Sequence, residues 1–265
     1  MGWLKFKDIM MPDFVMLEQV PSPVHFEQTF SFVDMPENIP IAYKTKQFKT
    51  ATIPVTLGFR PRVPDAGFFN RYLHTDYADK DARFSSMTVD EMLDLQFNSV
   101  YAWLCEEGPL TFSNDADKYY YAVCNSAITP ERMSKRLRKL PVQFTVLPFR
   151  RAIDNDVVEI PLEVDGNRKK AWISYAGTYP SSPTLKLYLT GNLDLQWGGM
   201  SIKVDNVVES VTIDAENRRV LDKDGEVILN RTRGVITEIT LEDRRFMSVS
   251  SNVTKVEIVK NTRWR

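Results

Sequence analysis

From Val157 onward the chain has almost no helical period, and that constrains its fold more than any other feature. The runs 157–164, 170–175, 184–190, 200–204, 210–213, 219–221, 226–229, 235–241 and 253–259 are short and rich in Val, Ile, Leu or Thr. Several alternate, as in Ser201-Ile-Lys-Val-Asp205 and Thr254-Lys-Val-Glu-Ile-Val259, which is the period of a strand with one buried face. Turn signals separate them at Asp165-Gly166, Gly191-Asn192, Gly198-Gly199, Ala215-Glu-Asn217 and Lys223-Asp-Gly225. Short strands at this spacing predict an antiparallel sandwich of about 110 residues. The polar run Arg150–Asp156 reads as a linker, dividing the chain into domains 1–150 and 151–265.

The first domain holds the one clear helix. Thr88-Val-Asp-Glu91 is a capping box, in which the Thr hydroxyl meets a free amide three residues on and the Glu reaches back. Leu93, Phe97, Val100, Tyr101 and Leu104 then fall on one helical face. Gly108-Pro109 supplies a stop, so the helix is predicted over about 88–107. Leu110–Phe112 and Tyr119–Cys124 flank the polar turn Ser113–Asp117 and predict a hairpin, and Val142–Leu147 predicts a further strand. Upstream, prolines at 12, 21, 23, 36, 40, 54 and 61 break the chain into extended pieces, with strand composition at Phe26–Val33 and Phe48–Leu57. Pro54 marks the second as an edge strand or an arm, because proline cannot donate to a central ladder. Residues 34–40 read as loop, and 60–86 as an exposed excursion with one helical turn around Phe68–Leu73. The expected fold is mainly β with one helix.

The sequence carries almost no recognisable chemistry. A net charge of -1 gives no global affinity for nucleic acid or membranes. No apolar run approaches the length of about 20 residues needed to cross a bilayer, so no membrane insertion is expected. Met1–Lys7 lacks a signal peptide's apolar centre, and Phe6 stands where myristoylation needs Ser or Thr. His25 and His74 are isolated, and Asp222-Lys-Asp-Gly-Glu226 fits a type I′ hairpin turn better than a calcium loop. No phosphate loop, nucleophile elbow or reactive-cysteine context is present. No catalytic residue, metal ligand or cofactor is therefore assigned, and the chain is expected not to be an enzyme. Cys105 and Cys124 read as buried thiols, with a disulfide as the alternative. The cations between Arg132 and Lys139 lack the interleaved aromatics that stack bases. Aromatic residues of the second domain, chiefly Trp172, Tyr175, Tyr188 and Trp197, are candidates for a ligand or partner surface. They suit sugar rings, core packing or a subunit contact equally well.

With these pieces placed, the chain resembles the distal tail protein (Dit) family of long-tailed, siphovirus-type phages. The resemblance rests on Asp13-Phe14 followed by Pro21-Ser-Pro23, and on the helix ending Trp103-Leu104 before Gly108-Pro-Leu-Thr-Phe112 and Asp117-Lys-Tyr-Tyr-Tyr121. Val142–Phe149, then Val211-Thr-Ile-Asp214, Arg219-Val-Leu221, Gly225, Gly234 and Arg263-Trp-Arg265 complete it. Met35-Pro-Glu-Asn38 stands where the family often carries a Gly-rich loop, and 60–87 is longer than in the family.

The resemblance implies an N-terminal β-sandwich with the helix and an extended arm at about 34–87, followed by a C-terminal galectin-like β-sandwich. It implies a structural virion protein made and assembled in the host cytoplasm: a homo-hexameric ring joining the tail tube to the tail tip or baseplate. DNA would pass through its channel unbound, and its outward sandwiches would hold receptor-binding, tail-associated or accessory baseplate proteins. Phe48, Ile53, Val55, Leu57 and Phe59 become the candidate subunit-interface residues, since an unpaired edge needs a partner. A carbohydrate-binding module or adhesin is the alternative.

Overall fold

The computed structural model of the chain describes residues 2–24, 26–33, 41–60, 86–125, 131–134 and 137–265. The predicted loop 34–40, most of the 60–86 excursion and both histidines lie outside them. The chain divides into two compact units, Met1–Arg150 and Arg151–Arg265.

In the first unit, β1 (Leu4–Phe6), β2 (Ile9–Met10), β3 (Val15–Leu17), β6 (Ala51–Phe59), β7 (Glu107–Phe112), β8 (Lys118–Cys124) and β10 (Leu137–Val146) form an antiparallel sheet. Its order is β2-β1-β7-β8-β10-β6-β3, and β9 (Glu131–Ser134) pairs with β10. Among the described residues, the strands β4 (Gln28–Val33) and β5 (Ile41–Phe48) pair only with each other, as a separate two-stranded ribbon. The helix α1 (Val89–Leu104) opens with the predicted capping box. Thr88 Oγ1 accepts from Glu91 N (3.3 Å), and Glu91 Oε2 accepts from Thr88 N (2.8 Å), which holds the Glu91 carboxyl below its ordinary pKa.

Two helix expectations are corrected. The buried face is Leu93, Gln96, Ser99, Val100, Trp103 and Leu104, while Tyr101 is exposed and Phe97 half-buried. Trp103 is the residue that turns the face: its Nε1 donates to the Phe6 carbonyl (3.1 Å), and its ring meets Phe6 edge-on at 6.2 Å. The helix also stops at Leu104, and Gly108-Pro109 lies inside β7. Proline is tolerated there because β1 turns away at Lys7, whose N donates to the Pro109 carbonyl (2.9 Å).

The predicted hairpin is present as β7–β8, paired from Glu107↔Val123 to Leu110↔Tyr120. Its turn is locked by charge: Asp115 accepts from Lys118 Nζ (2.7 Å) and Arg150 Nη1 (2.5 Å) with both partners mostly buried.

β11 (Arg150–Ala152) carries the chain into the second unit, a two-sheet sandwich. One sheet is β12 (Val157–Glu159), β22 (Lys255–Val259), β15 (Thr184–Tyr188), β18 (Ser210–Asp214) and β19 (Arg219–Leu221), in that order. The other is β13 (Glu163–Asp165), β14 (Arg168–Ser174), β21 (Arg244–Ser250), β16 (Gly191–Trp197), β17 (Met200–Val207) and β20 (Thr232–Arg233). β23 (Arg263–Trp264) follows at the C-terminus. Period-two side chains such as Leu185, Leu187, Val256 and Ile258 of the first sheet share one core with Ile173, Leu195, Val204, Met247 and Val249 of the second.

The run 157–164 is two strands on different sheets, joined through buried Ile160 and exposed Pro161. Within 235–241, Ile236–Glu238 is a 3-10 turn, and Ile236, Ile239 and Leu241 are buried. Residues 226–229 form no strand: Val227 bridges Leu221, Ile228 N donates to the Val220 carbonyl (2.9 Å), and Leu229 opens a second 3-10 turn. Two central strands, β16 and β21, escape the sequence pattern: β16 starts at a positive-φ glycine (Gly191, φ 102°), and β21 shows Arg and Ser on its open face. At Asp222–Glu226, Gly225 alone takes positive φ (85°) while the Asp222 carboxylate accepts from Asp224 N (3.0 Å) and Glu226 N (2.9 Å). That is a three-residue loop with a glycine bulge, not the expected type I′ turn.

Candidate assembly surfaces

The interface candidates on β6 divide by strand period. Ile53, Val55, Leu57 and Phe59 are all buried in the first unit's own core, so their side chains are not available to another subunit. Phe48 is half-buried and meets Phe149 edge-on at 4.8 Å. What β6 can still offer is part of its backbone.

β10 pairs with β6 along its whole length, from Ala51 to Phe59, but β3 pairs only with Leu57–Phe59. Glu18 N donates to the Thr56 carbonyl and Arg60 N to the Phe14 carbonyl (both 3.1 Å), so the even-numbered residues of β6 aim their backbone groups away from β10. Past Thr56 the third strand has ended. The Thr52 backbone groups and the Pro54 carbonyl face a groove of about 890 Å³, lined by Glu18, Gln19, Pro21, Pro23 and Thr56 among others. Pro54 sits where its missing N–H would have pointed into the groove, and the β10 ladder runs past it intact. Among the described residues, β6 is thus an interior strand at one end and an open edge at the other.

The four aromatic candidates of the second unit also separate. Trp197 is fully buried, with Nε1 donating to the Thr240 carbonyl (3.2 Å). Tyr175 is buried as well: its hydroxyl donates to the Tyr179 carbonyl (2.7 Å) and accepts from Arg263 N (2.9 Å). Both are core, which removes them as surface ligands. Tyr188 is half-buried, donates to Glu257 Oε2 (2.9 Å), and has the ammonium groups of Lys186 and Lys255 5.1 and 5.7 Å from its ring centre. Hydrogen bonds from Lys255 and then Tyr188 lower the Glu257 pKa. This cluster satisfies itself. Trp172 alone is freely displayed, at 54% exposure, beside Phe246 (5.2 Å) and under the Arg244 guanidinium (4.8 Å).

No other chemistry emerges among the described residues. No three His, Cys, Asp or Glu side chains gather as a metal site, and no helix is long and apolar enough to cross a membrane. Cys105 is exposed and Cys124 half-buried, both as free thiols, which corrects the expectation of two buried ones. Two members of the basic cluster are spent on ion pairs, Arg138 with Asp90 and Asp94 and Lys139 with Glu18.

No protein-family model and no curated protein sequence matches the chain. Among solved structures, it is similar to the crystal structure of the SPP1 Dit protein (gp 19.1), described as a paradigm of the hub adsorption apparatus in phages infecting Gram-positive bacteria. The TM-score is 0.69 over 97% of this chain and 98% of that one, at 11% sequence identity. At that identity the likeness is one of fold, and it takes in both units: the chain has the fold of a phage distal tail protein.

Proposed function

We propose that this chain is a structural hub of a phage tail, six copies of which form a ring between the tail tube and the tail tip. The observation that carries the reading is a fold shared over nearly the full length of both chains with a phage hub protein. The first unit is the ring-forming part. Its open β6 edge and its unpaired β4–β5 ribbon are complementary features of one chain, since an exposed edge recruits a strand and an isolated hairpin is marginal alone. A contact between two different patches of the same chain is head-to-tail, and such contacts close into a ring when the rotation between neighbours divides a full turn, as six copies at sixty degrees would. The second unit, a galectin-like sandwich in this reading, holds receptor-binding or accessory baseplate proteins. The near-neutral charge suits a channel through which DNA slides without being held. Such a protein is no enzyme, is assembled in the host cytoplasm and ends in the virion. Native mass spectrometry of the purified chain is expected to give six subunits or a multiple, and a persistent monomer at high concentration would sink the reading.

The exposure of Trp172 favours one alternative, a carbohydrate-binding sandwich. A broad glycan array is the discriminating measurement: the hub reading expects silence, and the alternative expects binding that Trp172→Ala abolishes.

A further inference from the structure

The second unit's two flanks are unequal. On one, β19 folds into the Asp222–Glu226 turn and the Leu221↔Val227 bridge, and the segment that follows buries Ile236 and Ile239. On the other, β12 and β13 end their sheets with every residue exposed, including Val157 at 62%. The direction of the open backbone groups on β12 follows from its register. Ile160 N donates to the Val256 carbonyl (2.9 Å) and Val158 pairs with Ile258, so the even residues face β22. Val157 and Glu159 therefore aim both backbone groups outward. Within the segment that carries these strands the charge is all of one sign. Asp154, Asp156, Glu159, Glu163 and Asp165 are exposed, and no cation falls between Ala152 and Asn167. Lys255 holds Glu159 and Lys170 holds Asp165, while Asp154, Asp156 and Glu163 make no ion pair among the described residues.

Short acidic edge strands are also a device against aggregation. Here the device is selective, because the carboxylates repel a second copy of the same edge while leaving valines and backbone groups uncovered. We propose that β12 is a strand-addition site for an extended, basic segment of another protein, one that alternates Lys or Arg with β-branched residues. Its backbone would extend the five-stranded sheet, its cations would face Asp154, Asp156 and Glu163, and its apolar side chains would cover Val157 or Val158. This names a partner surface for the second unit and rests on the reading that this unit holds other proteins.

The test uses the full chain and three eight-residue peptides: alternating Lys and Val, alternating Glu and Val, and the Lys-Val peptide N-methylated at alternate residues. Calorimetry is expected to show binding by the first and none by the second. The N-methylated peptide should bind at least about tenfold more weakly, because one edge of its backbone can no longer pair. Val157→Pro, which removes an outward donor and leaves the β22 ladder intact, should weaken the Lys-Val peptide by a similar factor. Equal binding by all three peptides, no binding by the Lys-Val peptide, or binding indifferent to Val157→Pro would overturn the site. Native mass spectrometry on the same samples separates the two readings. A six-subunit ring that ignores the peptides leaves the hub standing and removes this site alone, whereas a monomer removes the hub whatever the peptides do.

Discussion

The two units fill their cores with different materials. The first packs rings: Phe6, Phe14, Phe59, Phe144 and Trp103 are fully buried, and Phe6 contacts Trp103 at 6.2 Å and Phe144 at 5.4 Å. The second packs branched aliphatic chains, with Trp197 as its one fully buried large ring. The difference follows from what each sheet is laid against. In the first unit the helix meets the sheet ring on ring, Trp103 against Phe6, and each such ring buries a large area at a single position. Two sheets facing each other at about 10 Å leave an even gap that Leu, Ile and Val fill at period two. The aromatic core is therefore the one expected to hinge on a few residues.

The sharpest way to break that comparison is to empty one ring position in each unit. Trp103→Ala and Trp197→Ala are each expected to cost about 3–5 kcal/mol, because each removes a fully buried indole and leaves a carbonyl without its donor. Calorimetry should show each variant lowering a different transition. A single transition shifted equally by both would mean that the units do not unfold separately.

A smaller effect separates the units by pH. Burial alone would raise the Asp115 carboxyl, but hydrogen bonds from Lys118 and Arg150, with their charges, hold it below its ordinary value. A carboxyl whose folded pKa is depressed stabilises fully above its unfolded pKa of about 4 and loses that contribution as pH falls through the lower folded value. Asp115→Asn should cost about 1–3 kcal/mol at neutral pH. Its urea midpoint should approach that of the unaltered protein as pH drops below about 4. A gap that stayed constant with pH would show that the charge is not what holds the β7–β8 turn.

Thr88→Ala should cost about 1 kcal/mol, the usual value of a helix cap, and should act on the first unit alone.

How much of this was legible in the sequence depended on whether the signal was local. The capping box at Thr88 and the polar turn after Phe112 are short-range chemistry, and both are in place. The helix face was read one step out because Phe97 and Tyr101 look apolar, whereas Gln96 and Ser99 are buried for reasons of register against the sheet. The open end of β6 was signalled by Pro54, but its other end is covered by Val15–Leu17, a contact forty or more residues away that no local pattern carries. Two of the four aromatic candidates, Tyr175 and Trp197, proved to be core for a related cause. A tyrosine or tryptophan shows the same letters whether its polar tip reaches solvent or a buried carbonyl, as Tyr175 and Trp197 do.

Trp172 is where this ambiguity can still be resolved by measurement. It lies on the open face of β14, more than half exposed, with Phe246 and Arg244 against its ring, so Trp172→Ala should change stability by less than about 1 kcal/mol. That small cost makes it the clean counterpart of Trp197→Ala, whose loss of any activity would report an unfolded core. If Trp172→Ala keeps its circular dichroism, its subunit count and its peptide binding, the residue is no part of the assembly surfaces argued above. If it instead loses a glycan signal that the unaltered chain shows, the open sheet face is a sugar platform and the second unit is more than a holder for proteins. A variant unchanged in every one of these measurements would leave Trp172 as a surface ring that shields Phe246 and little else.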